Sequence, residues 1–220
     1  MDFSRQAKIV SVNLRYNFLQ HFAIACLIAL SVPMVFSISS LTERGAAQPL
    51  EYLLSFTGAF LLTPIFYPEQ NKNVRDLIRS KRTGYLSVCF VRVVYSAVAL
   101  AVVVGTMVLA MKLCESAVTW RHFAGGYASA LLLGSVGLFF AGVSGNITAG
   151  YMAAVIYYLA GYAMKEKLGA ACVFSMMLGM DFSYKYGSLA ISALPCGWLR
   201  LPAKPRPPSW AMSATISARL

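Results

Sequence analysis

The chain has 220 residues, 58% of them hydrophobic and 12% charged, with a formal charge of +11. A soluble domain carries about a quarter charged residues, so this composition argues against a water-soluble fold. The basic residues sit between long apolar runs rather than among aromatics on one face. They are therefore read as charges that set membrane topology, and nucleic acid is not expected as a partner.

Residues 1–16 are polar and basic, with Arg5, Lys8 and Arg15 among Phe3, Ile9, Val10 and Leu14. That mixture suits a short helix lying at the membrane surface. The first expected span covers residues 17–38, with His21 near its start and Pro33 near its end. No cleavable signal peptide is expected, because the run is too long for a signal-peptide core and no convincing small-residue cleavage site follows it. His21 is a candidate proton-relay residue, because ionisable groups in spans are functional candidates by default. Its place near one end favours an interfacial histidine instead.

After a loop over 39–49, the second span is expected over 50–66, with Gly58 and Pro64 inside it. The most polar stretch of the chain follows, over 67–85. Asn71 or Asn73 can cap a helix there. Val74, Leu77 and Ile78 then form one apolar stripe, and Arg75, Arg79 and Arg82 a basic stripe on another face. Such a helix either lies among lipid headgroups or docks into a partner protein.

The third span is expected over 86–111, with Arg92 near its beginning. At the centre of a span an arginine costs about 2.5–3.5 kcal/mol on insertion scales. Six residues from the basic loop, it is expected to snorkel outward. The fourth span, 123–143, carries Gly125, Gly126, Gly134, Gly137 and Gly142. Small residues allow close helix approach, so this helix is expected in the bundle interior. A very short turn leads to the fifth span, 148–164, making a tight hairpin.

The apolar stretch 168–180 is too short to span easily and reads as re-entrant or interfacial. The sixth span is expected over 186–201, and 202–220 reads as a disordered cytoplasmic tail. Residues 1–201 thus form a single transmembrane domain. With six spans, twelve Lys and Arg residues fall on one side and six on the other, with Arg92 inside a span. The positive-inside rule then puts both termini and the 67–85 loop in the cytoplasm of a multi-pass plasma-membrane protein.

The run TPIFYPEQNKNVRDLIRSKRTGY at 63–85 resembles export-type permease subunits of ATP-binding-cassette transporters. There, a proline-rich turn ends the second span and an acidic residue and a short coupling helix follow. The stretch FSMMLGMDFSYKYGSLA at 174–190 resembles the family's extracellular segment before its last span. The resemblance covers roughly residues 10–190, whereas 186–201 is shorter than the family's last span. It implies an all-α integral membrane protein of about six transmembrane helices. It also implies a cytoplasmic amphipathic coupling helix, between helices 2 and 3, made of Glu69, Arg75, Asp76, Leu77, Ile78 and Arg79. That helix would seat on a separate ATP-binding-cassette ATPase, and a second permease subunit, identical or related, would complete the path.

The chain has no G-x-x-x-x-G-K-[ST] and no Gly-Lys pair, so it is not expected to be its own P-loop ATPase. ATP and Mg are expected only in the partner. Gly142-Val143-Ser144-Gly145 matches the GxSG of intramembrane rhomboid proteases. No histidine follows His122 to serve as the base such catalysis needs, so no enzyme is expected, nor any catalytic, cofactor-binding or metal-ligating residue. The cysteines Cys26, Cys89, Cys114, Cys172 and Cys196 lack metal-ligand spacing and are odd in number. Asn146-Ile147-Thr148 matches a glycosylation acceptor but falls in the tight turn on the cytoplasmic side. The alternative function is a membrane protein without an ATPase, such as an immunity protein or small secondary transporter. The scarcity of ionisable residues within the spans argues against the latter.

Overall fold

The computed structural model describes residues 18–70, 85–164 and 173–178. The described residues are helical, without strands, and contain five helices. α1 is Leu19–Val35, α2 Glu43–Tyr67, α3 Tyr85–Leu113, α4 Trp120–Ser144 and α5 Ile147–Ala163. Three helical segments are long and apolar enough to cross a membrane: Glu43–Tyr67, Cys89–Leu113 and Trp120–Ser144. α1 and α5 are shorter apolar helices of 17 residues each. The expected sixth span and the tail lie outside the described residues.

α4 forms the middle of the bundle and packs along α2 and α5. Its composition explains that position. The buried face carries Gly126, Ala130, Gly134 and Gly137, interleaved with Leu133 and Leu138. A Cβ added to Gly58 of α2 would run into the backbone carbonyl of Ala130, and one on Gly134 would lie 2.5 Å from the Gly58 carbonyl oxygen. The two backbones touch because neither residue has a side chain. In an apolar solvent that close contact replaces the hydrophobic drive available in water.

α4 and α5 are joined by two residues. Gly145 ends α4 in the left-handed conformation (φ 66°), which glycine adopts without strain. Asn146 then caps α5, its Oδ1 accepting from the Thr148 amide at 2.9 Å. The Ser144 hydroxyl donates to the Phe140 carbonyl at 2.6 Å and accepts from the Asn146 amide at 3.2 Å. The serine of the GxSG motif thus closes the hairpin.

The opposite end is tied by the loops before α2 and before α4. The Ser40 amide donates to the Cys114 carbonyl, and the Ala117 amide to the Leu41 carbonyl. The Ser116 hydroxyl donates to the Ile38 carbonyl at 2.6 Å. α4 starts with a cap in which histidine takes the place usual for Glu or Gln. His122 Nδ1 accepts from the Thr119 amide at 3.1 Å. Its Nε2 must then carry the proton, and it donates to the Glu43 carbonyl at 2.8 Å. One side chain therefore caps α4 and fixes the first turn of α2.

α2 differs from the sequence expectation in where it begins. Residues 39–49 read as a loop because Glu43, Arg44 and Pro49 interrupt the apolar run. The helix begins at Glu43, where Thr42 Oγ1 accepts from the Gly45 amide at 3.4 Å, and Ala46 and Ala47 are fully buried. α2 is not uniform. An α segment, Glu43–Pro49, gives way to a π segment, Leu50–Leu54, then to α helix over Ser55–Leu62 and a 3-10 stretch over Thr63–Gln70. The π segment starts directly after Pro49, which has no amide hydrogen for the helix ladder.

Candidate functional site

A π segment widens the helix and leaves carbonyls that the normal ladder would occupy. Here side-chain hydroxyls take three of them. The Ser55 hydroxyl donates to the Glu51 carbonyl at 2.7 Å, and the Thr57 hydroxyl to the Leu54 carbonyl at 2.6 Å. The Tyr158 hydroxyl reaches from α5 to the Tyr52 carbonyl at 3.0 Å. The bulge is held by its neighbours, and it presents Glu51 to the bundle interior.

Glu51 is fully buried, with 0% of its surface exposed. Its two carboxylate oxygens accept from two consecutive backbone amides of the 173–178 turn. Met176 N lies 3.0 Å from Oε1, and Met177 N lies 2.9 Å from Oε2. Charge-assisted bonds of this kind are about twice as strong as neutral ones. They offset the cost of burying the carboxylate, which would otherwise be several kcal/mol.

The rest of the turn is seated as firmly. The Ser129 hydroxyl of α4 donates to the Val173 carbonyl at 2.8 Å. Phe174 is fully buried, with its ring 5.2 Å from Tyr52, 5.1 Å from Tyr158 and 6.1 Å from Tyr162. A Cβ on Gly125 would collide with Met176 Sδ, so that glycine is the notch in α4 that admits the methionine. The short apolar stretch that reads as re-entrant or interfacial is, over 173–178, a turn plugged into the bundle between α2, α4 and α5.

Arg92 forms a second polar site, toward the other end of α2. It is 4% exposed, and its Nη1 donates to the Ile65 carbonyl at 3.0 Å. This corrects the expectation that it snorkels to water. The 3-10 stretch at the end of α2 offers carbonyls that an ordinary helix would use, and the guanidinium takes one from inside the bundle. His21 packs its ring 6.0 Å from that of Tyr67, and its buried Nδ1 has no hydrogen-bond partner among the described residues.

Of the coupling-helix residues, Glu69 falls within the helical stretch Thr63–Gln70. Arg75, Asp76, Leu77, Ile78 and Arg79 lie outside the described residues. Among the described residues no group of three His, Cys, Asp or Glu side chains could hold a metal ion. Cys26 and Cys114 are free thiols.

Sequence reasoning passes over Glu51 because it is the second residue of the expected span, where a carboxylate meets headgroups. The helix begins eight residues earlier, at Glu43, which puts Glu51 about 12 Å along it. The available signal was an acidic residue in the apolar run LEYLLSFTGAF, directly after a proline.

The arrangement is suited to holding N–H donors. Both oxygens of the buried Glu51 carboxylate accept from backbone amides, beside a cluster of aromatic rings packed around Phe174. Comparison with protein-family models, with curated proteins and with solved structures finds no match to this chain.

Proposed function

We propose that the chain is the membrane-spanning permease subunit of an ATP-driven exporter. It forms a substrate path with a second permease subunit and is driven by a separate ATPase. The observation that carries the reading is the bond from Arg92 to the Ile65 carbonyl. It fastens α2 to α3 at the base of the basic segment that connects them. A push on residues 71–84 by a partner would then move both helices together rather than flex a loose loop. α2 would carry the motion along its length to Glu51 and the 173–178 turn.

In this reading Glu69, Arg75, Asp76, Leu77, Ile78 and Arg79 meet the partner ATPase. The test is a mild-detergent purification of the tagged full-length chain, with co-purifying proteins identified and ATP hydrolysis assayed. A stoichiometric P-loop ATPase, lost from the Arg75→Glu, Arg79→Glu double variant while membrane insertion persists, supports the reading. Unchanged ATPase binding by that variant removes these residues from the contact.

Glu51 favours a second reading, transport without an ATPase. Buried carboxylates in membrane helices serve proton-coupled carriers, and this one is fully buried. That reading requires transport by the chain alone, driven by a pH gradient and abolished in Glu51→Gln.

A further inference from the structure

His122 is buried, and both of its ring nitrogens are committed to backbone groups. The Thr119 amide can only donate, so Nδ1 accepts from it and carries no proton. The Glu43 carbonyl can only accept, so the single ring proton sits on Nε2. The ring therefore fits this seat in one neutral form. A second proton would set an N–H on Nδ1 against the N–H of Thr119. It would also leave a buried, charged ring holding a donor without an acceptor. The charged side chains on the described segments around the ring are Glu43 and Arg44 on α2, Lys112 on α3, Glu115 in the loop before α4 and Arg121 on α4 itself. All five are exposed to solvent. Among the described residues, the ring nitrogens bond to the two backbone groups and to none of these side chains.

We propose that His122 is an acid-released latch, which ties the first turn of α2 to the start of α4 while neutral and lets go when protonated. The end it holds is the one opposite the end where α2 stops and α3 starts. There the loops before α2 and α4 are also joined through Ser40, Leu41, Ser116 and Ala117, whose bonds involve no titrating group. The latch does not depend on what drives the chain, so it stands apart from the exporter reading. Its size as a switch follows from linkage. The closed seat has no place for the second proton, whereas a ring released to water takes it up in the ordinary range of histidine, about 6.5. The tie is thus intact above that range, and each unit of pH below it favours the released state by about tenfold. Between pH 7.5 and pH 5 the opening equilibrium should rise about thirtyfold.

Hydrogen exchange of the full chain in lipid nanodiscs at those two pH values tests this, with each rate corrected for the exchange of an unstructured chain at the same pH. Peptides covering residues 43–47 and 117–123 should lose protection by about thirtyfold at pH 5, while the middle of α4 should not change. The chain has two histidines, His21 and His122, so two variants assign the response. His122→Gln puts the residue usual for this cap at its place and removes the titrating ring. Its protection should not change with pH. His21→Gln should keep the full response of the native chain.

Should His122→Gln fail to insert, nitrogen NMR of the native chain with labelled histidine decides instead. The latch requires a neutral His122 ring with its proton on Nε2 at pH 7.5, and gain of the second proton together with the loss of protection. Protection at 43–47 and 117–123 that is the same at both pH values overturns the proposal. So does an equal acid response in His122→Gln, a response lost in His21→Gln, or a ring that gains its second proton while both segments stay protected.

Discussion

Replacing Glu51 by glutamine should release the 173–178 turn while leaving the helix bundle folded. The carboxylate accepts from Met176 N at 3.0 Å and Met177 N at 2.9 Å, one on each oxygen. Glutamine keeps one acceptor oxygen and turns an NH2 group toward the other amide. One charge-assisted bond becomes neutral, and the other becomes two donors face to face. Hydrogen bonds to charged groups contribute about 1.5–3 kcal/mol, and an unsatisfied buried donor costs about 1–3 kcal/mol. The turn should therefore lose about 2–4 kcal/mol, which is about thirty- to several-hundred-fold in its opening equilibrium. The bundle should persist, because the π segment is held separately by Ser55, Thr57 and Tyr158. Hydrogen exchange of the intact chain in nanodiscs reads this locally. Peptides covering 173–178 should lose protection by that factor, while those covering α4 should not change. Unchanged exchange at Met176 and Met177 would refute the reasoning, because the carboxylate would then not be what holds the turn.

Gly58→Ala should destabilise the bundle by about 1–3 kcal/mol or more, because the new Cβ meets the Ala130 carbonyl, which a helix backbone cannot swing aside. Gly105→Ala is the control: its Cβ would sit 3.5 Å from Phe123 Cε2, an ordinary contact, so thermal unfolding in detergent should shift for the first variant and not the second. His122→Ala removes both the α4 cap and the tie to Glu43. It should cost about 1–2 kcal/mol and raise exchange at the first turns of α2 and α4 together. Arg92→Met keeps the apolar stem but loses the bond to Ile65. It should cost about 2 kcal/mol and raise exchange over Thr63–Tyr67, and under the exporter reading it should weaken coupling without displacing the ATPase.

What could be read from sequence here depended on how local the cause was. The hairpin of α4 and α5 follows from Gly145 and Asn146, a left-handed stop beside an amide-capped start, and both signals lie within the two residues themselves. The burial of α4 follows from its glycines and alanines, which have few other uses in a membrane helix. The start of α2 was not legible. Glu43 and Pro49 look like loop residues until Thr42 and His122 are seen fastening that turn from outside it. His122 sits 79 positions from Glu43, and no periodicity reports such a partner. Misplacing that start hid Glu51, since a carboxylate at a span's edge is unremarkable and the same carboxylate two turns inside is not. Arg92 was misread for a related reason. Its distance from the basic loop suggested water, but the acceptor is a carbonyl freed by the 3-10 end of α2. In the exporter reading the partner is met by the segment at 71–84, whose apolar and basic stripes are local to its own residues.

The most direct test of that reading is a photo-crosslinking amino acid placed at Leu77 or at Arg79 of the full chain in intact cells. An adduct with a P-loop ATPase from both positions is the result expected of a permease whose coupling helix seats on its motor. Adducts with lipid alone, from a chain that is correctly inserted, would contradict it: residues 71–84 would then lie among headgroups, and the chain would be a membrane protein that works without an ATPase.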